Sequence, residues 1–314
     1  MEEALYSHLG FFNTDQVRSD KEGDFLTSPE VSKYFGKIIR NWINSESNLK
    51  NIIEIGSGTG SLIEQIGIKE ITAVELSSTA REELIKKGIN THTTIDELTT
   101  KTSDLIFGNE ILDNIPCSIG LYKDEGWYEK VVLLEENSLA YGLRPIRNEE
   151  LDWISKNNIV PNEDYEFEIQ VNIDKFLNSV IKKINPGKIL LFDYGYEQKN
   201  RDKRMYSSLL RTYKNHHLSV DPIDDPGNVD ITYDVNFSSI SSELEYLGYD
   251  VTLKLQRDFL LDNGFNIFFD ELQEKYIAAE GIEKLKINSE LNGMKAIVDS
   301  NGLGGFYCLI AEKL

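Results

Sequence analysis

The sequence predicts an α/β domain built on a parallel sheet, on three observations. Short apolar runs and amphipathic stretches alternate from residue 50 onward, as strands do when helices form the crossovers between them. The first such run, Ile52 to Ile55, passes straight into a loop with glycine at every second position, Gly56, Gly58 and Gly60, and that loop opens into a helix at Ser61. With 314 residues, 40% of them apolar, the chain can bury one large core.

The elements follow in order. Gly23-Asp24-Phe25-Leu26-Thr27-Ser28-Pro29-Glu30 is polar and turn-rich and leads into an amphipathic helix, Val31 to Trp42. Ser28 is expected to cap that helix with Pro29 at its first position, and residues 1–48 to fold over the site as a lid, with Asp24, Phe25, Thr27, Ser28 and Glu30 facing it. The main domain is expected over 49–314. It starts with the strand Ile52 to Ile55, the helix Ser61 to Ile66 and a second strand, Ile71 to Leu76. Ser77 then caps the helix Ser78 to Lys87, which Gly88 closes. A third strand is expected at Ile89 to Thr93, and a fourth at Asp104 to Phe107, stopping at Gly108-Asn109-Glu110.

Between the fourth strand and a fifth, Lys188 to Phe192, the pattern changes. Ile119 to Lys123, Trp127 to Glu135 and Leu139 to Leu143 read as antiparallel strands of a cap inserted at about 117–170, followed by a helix from Val171 to Ile184. A second insertion, at about 196–236, carries Asp221-Pro222 and Asp225-Pro226-Gly227 and shows little periodicity. The chain then returns to a helix at Phe237 to Tyr246, a strand at Val251 to Leu255, helices near 257 to 285, and a final strand at Phe306 to Ala311. There is no internal repeat.

Composition narrows the partners. Against 33 Lys and Arg stand 53 Asp and Glu, a formal net charge of −20. Such a surface repels nucleic acid and anionic membrane and favours basic partners. The two cysteines, Cys117 and Cys308, form no C-x-x-C, zinc set or disulfide framework, so no metal is expected and a reducing cytoplasm is the expected home. The start, Met1-Glu2-Glu3-Ala4-Leu5, resembles neither a signal peptide nor a basic presequence, and no run approaches ~20 apolar residues.

The chemistry concentrates at strand ends. A dinucleotide loop is spaced G-x-G-x-x-G, whereas here the third glycine comes one residue early and Glu54 stands two residues before the first. A carboxylate there suits a cationic ligand, and S-adenosylmethionine carries both a sulfonium and an α-amino group. Glu54, Gly56, Ser57, Gly58, Thr59 and Gly60 are therefore the expected cofactor cradle. Glu75, with Leu76 beside it, ends the second strand where a carboxylate can take two ribose hydroxyls; the alternative is a strand-end carboxylate that caps the next helix. Asp96 is placed either to meet an adenine or to cap Glu97-Leu98.

Asn109, Glu110 and Asp113 follow the fourth strand and form a cation-receiving set, with Asn109 also near the cofactor. Asp113 in Asp-Asn-Ile-Pro fits an ordinary turn as well. Asp193 and Tyr194 end the fifth strand on the same rim, and His216 is a loop histidine within the second insertion.

Taken together and in order, several segments resemble the MidA-like family of S-adenosylmethionine-dependent methyltransferases. They are Gly10-Phe11-Phe12, residues 23–30, Phe35-Gly36, residues 54–60, Asn-Glu-Ile-Leu-Asp-Asn-Ile-Pro at 109–116, Gly126-Trp127-Tyr128-Glu129, Asp193-Tyr194-Gly195, Tyr213 with His216, and Pro-Gly-Asn-Val-Asp-Ile-Thr at 226–232. The glycine loop is common to many methyltransferases; the segments at 23–30, 109–116 and 226–232 are far more specific.

The resemblance implies a class I methyltransferase fold, Rossmann-like with a seven-stranded, mostly parallel sheet, an N-terminal lid and inserted cap segments. It also implies S-adenosylmethionine as cofactor and symmetric dimethylation of an arginine on a protein partner, which in mitochondrial relatives is a respiratory complex I subunit. Two departures stand out. The chain begins in what looks like the middle of the family's N-terminal helical region, and Ser208-Leu209-Leu210 replaces an expected Gly-Thr-Leu. Small-molecule methylation, or a cofactor-binding assembly role with little catalysis, are the rival readings; intact Glu54, Glu75, Asn109 and Glu110 argue against the last. Pairing of two chains as a homodimer is left open.

Overall fold

A computed structural model describes residues 1–13, 27–46, 49–136, 138–161, 163–203, 210–214, 217–218 and 221–313. Seven strands form the main sheet: β1 (Ile52–Ile55), β2 (Ile71–Val74), β3 (Thr91–His92), β4 (Ser103–Asn109), β5 (Ile184–Asp193), β6 (Asp250–Leu255) and β7 (Tyr307–Glu312). Their order is β6-β7-β5-β4-β1-β2-β3. Neighbours from β5 through β3 pair parallel, while β7 runs antiparallel to both β5 and β6. This is the seven-stranded, mostly parallel sheet that the resemblance implied.

The sheet is buried on both faces, which explains the near-continuous apolar runs of its strands. Successive side chains point to opposite faces. Ile52, Leu105, Phe107, Leu190 and Phe192 meet one set of helices, and Ile53, Ile55, Ile106, Ile189 and Leu191 meet the other. The first set includes Tyr34–Ser45, Ser61–Ile66, Gln256–Asp262, Phe265–Ala278 and Gly281–Ile297; the second has Val171–Ile181 and Phe237–Tyr246. Helix Tyr34–Ser45 buries Phe35, Ile38, Ile39, Trp42 and Ile43, a stripe at helical spacing. Phe35 packs edge-on against Phe192, with ring centroids 5.2 Å apart.

Three expectations are corrected. The helix expected from Val31 is two helices, Ser28–Val31 and Tyr34–Ser45, separated by Ser32 in an extended conformation. Thr27, not Ser28, holds the N-cap position, and no side chain caps it. Ser28 is fully buried, and its hydroxyl donates to Gln256 Oε1 (3.2 Å), so a tertiary partner has displaced the local cap. The second insertion is also more regular than its sequence suggests. Leu210–Lys214 pairs with His217–Leu218 and Asp230–Tyr233, and Gly195–Tyr196 pairs with Val235–Asn236.

The first cap is antiparallel as expected. Its strands, Ser118–Lys123, Gly126–Glu135 and Ser138–Pro145, gain a fourth, Tyr165–Ile169, and a helix, Asn148–Lys156, that the sequence reading did not identify.

Candidate functional site

The carboxyl ends of β1, β2 and β4 open into a cavity of about 250 Å³. On its β1–β2 side lie Glu54, the loop from Gly56 to Thr59, and Glu75 with Leu76. All three loop glycines have positive φ, +68°, +51° and +86° in order. Two of them also have a role the sequence did not reveal. A Cβ at Gly56 would lie 2.3 Å from Ile111 Cγ2, and one at Gly60 would lie 2.8 Å from Leu84 Cδ2. Side chains of the protein itself fill that space, so these two positions are small for packing as well as for the turn.

Glu54 is 2% exposed, and its Oε2 has no hydrogen-bond partner. Burial holds its carboxyl well above the usual carboxylate range, against the opposing bond from Ser57. Glu75 accepts the Gly58 N–H at Oε2 (2.9 Å) and the Ser77 N–H at Oε1 (2.7 Å). Its oxygens thus fix the glycine loop and the next helix together on the cavity wall. Ser77 caps that helix as expected, accepting from the Ala80 N–H.

On the β4 side Glu110 is held at φ +53°, a left-handed conformation that side chains other than glycine, asparagine and aspartate seldom adopt. Its N–H donates to Phe192 O (2.8 Å), while Oε1 accepts from Asn109 Nδ2 (2.9 Å) and from the Ser28 N–H (3.3 Å). Burial, reinforced by the charge of Asp113 and opposed by the Asn109 bond, pushes its carboxyl up to about 8. Asn109 Oδ1 is buried and unpartnered. Thr27 and Glu30 reach the same cavity from the segment beside Ser28.

Several expected residues stand elsewhere. Asp193 is fully buried and does not line the cavity. Its Oδ2 takes the N–H groups of Leu112 (2.7 Å) and Asp113 (3.3 Å), and its Oδ1 that of Tyr194 (2.9 Å), so it braces the loop after β4 from behind. Asp113, 4% exposed and also off the wall, accepts the Tyr194 hydroxyl. Its carboxyl is pushed up to about 6 by burial, opposed by Tyr194 and Arg211. The Tyr194 ring lies beneath the Arg211 guanidinium, 5.0 Å from its centroid, and is likewise off the wall. Asp96 sits exposed in a short 3-10 turn, Ile95–Glu97, whose cap position belongs to Thr94, and it does not line the cavity. Asp24, Phe25 and His216 lie outside the described residues.

The cavity wall also contains residues that sequence reasoning missed: Tyr6, Phe12, Asn114 and Phe176. Asn114 and Phe12 lie within segments that carry the family resemblance, 109–116 and Gly10-Phe11-Phe12, whereas Tyr6 and Phe176 carry no local signal. Three distant segments meet here. Tyr6 Oη donates to Asn114 O (3.1 Å), and Asn114 Nδ2 donates to Asp230 Oδ1 (2.9 Å) and Ile231 O (3.2 Å). Tyr233 Oη adds bonds to Leu112 O (3.0 Å) and Ile115 O (2.7 Å). The wall is acidic: Glu30, Glu54, Glu75 and Glu110 line it, and no Lys, Arg or His does so among the described residues.

Two orphaned buried acceptors, Glu54 Oε2 and Asn109 Oδ1, beside a left-handed glycine loop can receive hydrogen bonds from a ligand with an ammonium group, which fits the amino-acid end of S-adenosylmethionine. Among the described residues, no group of three or more His, Cys, Asp and Glu side chains is arranged to hold a metal.

Comparisons with known proteins agree with this geometry. Residues 35–252 match a family described as "Putative S-adenosyl-L-methionine-dependent methyltransferase". A Caenorhabditis elegans protein named "Protein arginine methyltransferase NDUFAF7 homolog, mitochondrial" is 25% identical over 83% of this chain and 70% of its own length. Its Drosophila melanogaster counterpart is 24% identical over 73% and 61%, and the Danio rerio "Protein arginine methyltransferase NDUFAF7, mitochondrial" 25% over 76% and 65%. This chain thus spans roughly two thirds of the length of these relatives.

A crystal structure from Burkholderia thailandensis bound to S-adenosyl-homocysteine superposes with a TM-score of 0.86 at 22% identity, covering 99% of this chain and 86% of that one. A native structure of an uncharacterized protein from the same organism gives 0.82 at 21%, covering 99% and 85%. Both share this fold. The relatives' names overturn one expectation: each places its protein in mitochondria, against the cytoplasmic home inferred from the cysteines and the chain's start. Unpaired cysteines fit any reducing compartment and do not distinguish among them.

Proposed function

The chain belongs to this family of S-adenosyl-L-methionine-dependent methyltransferases, and from that premise we propose that it methylates the guanidinium of an arginine on a partner protein. The observation that carries the reading is Glu110, a carboxylate on a cavity wall without cations, held in a left-handed conformation and bonded through one oxygen to Asn109 and Ser28. Strain of this kind costs on the order of 1–3 kcal/mol and persists where the surrounding structure enforces it, often at active sites. The relatives' names and the charge of −20, which favours basic partners, support arginine on a protein.

Bound S-adenosylmethionine supplies a methyl already activated by its sulfonium. Glu54 and Asn109 would hold the ammonium end, and Glu75 the ribose. A protonated guanidinium is a poor nucleophile, so the enzyme has to orient it and receive a proton as the new C–N bond forms. Both tasks need Glu110 as its carboxylate: a guanidinium cation bound beside it favours the ionised form, and the burial that raises its pKa to about 8 makes it a stronger base once ionised. Asp193 and Asp113 act indirectly, by fixing the loop that carries Glu110.

The test is radiolabelled methyl transfer into a lysate of host cells lacking this protein, followed by mass spectrometry of the labelled residue. Label on arginine of a protein band is the expected result. Turnover of small metabolites with no labelled protein would replace the protein substrate with a small molecule.

A further inference from the structure

The arginine reading leaves three rings on the cavity wall without a role, Tyr6, Phe12 and Phe176, and the first two form a pair. Tyr6 and Phe12 line the cavity and lie nearly parallel, their centroids 5.5 Å apart and planes 23° from each other. Their positions are fixed by the segment that carries them. Gly10 makes the turn possible, because a Cβ there would lie 2.7 Å from the Leu5 carbonyl oxygen. Asn13 Nδ2 donates to the carbonyls of Tyr6 (2.8 Å) and Ser7 (3.0 Å), closing the segment on itself. The neighbouring Phe11 is the anchor: it is fully buried, in a small cluster with Leu5, Val229 and Ile231. Phe12, half-buried, is left to face the cavity. The Tyr6 hydroxyl is tied to Asn114, on the same loop after β4 that carries Glu110.

We propose that the stacked pair of Tyr6 and Phe12 presents an aromatic face against which the substrate guanidinium lies, so that the site selects arginine over lysine. The inference rests on the arginine reading and deepens it. A carboxylate alone attracts either cation, since an ammonium and a guanidinium carry the same charge. An aromatic face separates them: the guanidinium is planar and weakly hydrated and stacks on a ring, whereas an ammonium is compact and holds its water tightly. The wall supplies both elements, with rings from the N-terminal segment and a carboxylate from the β4 end.

The test uses the full chain saturated with S-adenosylhomocysteine and titrated with a short peptide holding one arginine among glycines, and with its lysine counterpart, alongside methyl-transfer kinetics. Phe12→Leu is expected to weaken arginine-peptide binding by about 2- to 30-fold, raising KM while kcat and cofactor affinity hold. Phe12→Tyr, which keeps a ring, restores binding. Tyr6→Leu repeats the loss and carries the test if Phe12→Leu fails to fold. If wild type methylates arginine but the variants weaken S-adenosylhomocysteine instead of the peptide, the rings belong to the cofactor and this inference falls alone. It also falls alone if peptide selectivity is unchanged in the variants. If wild type neither binds nor methylates the arginine peptide, the arginine reading falls and takes this inference with it.

Discussion

On the β1–β2 side of the cavity, Glu54, the glycine loop, Glu75 and Ala80 come from one continuous stretch of chain, two strands and two helices that follow each other in sequence. On the β4 side, Tyr6, Phe12, Asn109, Glu110, Asn114 and Phe176 come from four separate elements, held by hydrogen bonds among residues 6, 114 and 230. The first side is built from the backbone and offers amides, carbonyls and carboxylates. The second is built from side chains that meet only in the folded chain. Many methyltransferases need the same donor but different acceptors, and this division places the common requirement in local structure and the particular one in tertiary packing.

The division can be broken or sharpened by measurement, beginning with the largest expected effect. Glu110→Gln should lower kcat by about 10²- to 10⁴-fold while calorimetry finds S-adenosylhomocysteine bound as in wild type. Retained turnover would remove the base from this position. Glu54→Gln should do the reverse, weakening cofactor by about 10- to 100-fold with little change in peptide affinity; equal losses of both ligands would mean that the two sides act as one. Asn114→Ala removes bonds to Asp230 and Ile231 and should cost about 1–3 kcal/mol of stability in chemical denaturation. Its KM for peptide is expected to rise more than its cofactor Kd.

The last prediction concerns pH. Burial raises the folded-state pKa of Glu110 from 4.5 to about 8, so the unfolded chain loses that proton first. Its contribution is fully present below pH 4.5 and is lost as pH rises through 8. The cofactor-free protein should therefore melt at falling temperature between pH 5 and 8, and Glu110→Gln should flatten that slope. A melting temperature that climbs across the same window in wild type would contradict the assigned environment.

The same contrast explains what the sequence could and could not reveal. Helices Ser61–Ile66 and Phe237–Tyr246 fall where periodicity and capping residues place them, because those signals are local. Glu54, Glu75 and Glu110 lie on the wall because a strand end in a parallel sheet faces its carboxyl edge. Asp193 stands at such an end too, yet its carboxylate turns to three backbone N–H groups, two of them from the distant loop after β4 and one from the adjacent Tyr194. Ser28 has the sequence of a cap but its hydroxyl bonds Gln256, far along the chain. Tyr6 sits in a five-residue helix with no chemical motif around it, and only its packing against the second insertion gives it a place in the cavity.

The order of strands has a consequence for how the chain is made. β7 is the last strand in sequence, yet it lies between β5 and β6 and is the link that joins them. Until residues 307–312 leave the ribosome, β5 has an open edge and β6 has no partner in the sheet. Both are then exposed to pairing with other nascent chains. A chaperone that shields this gap until residues 307–312 pair would be expected to raise the yield of folded protein.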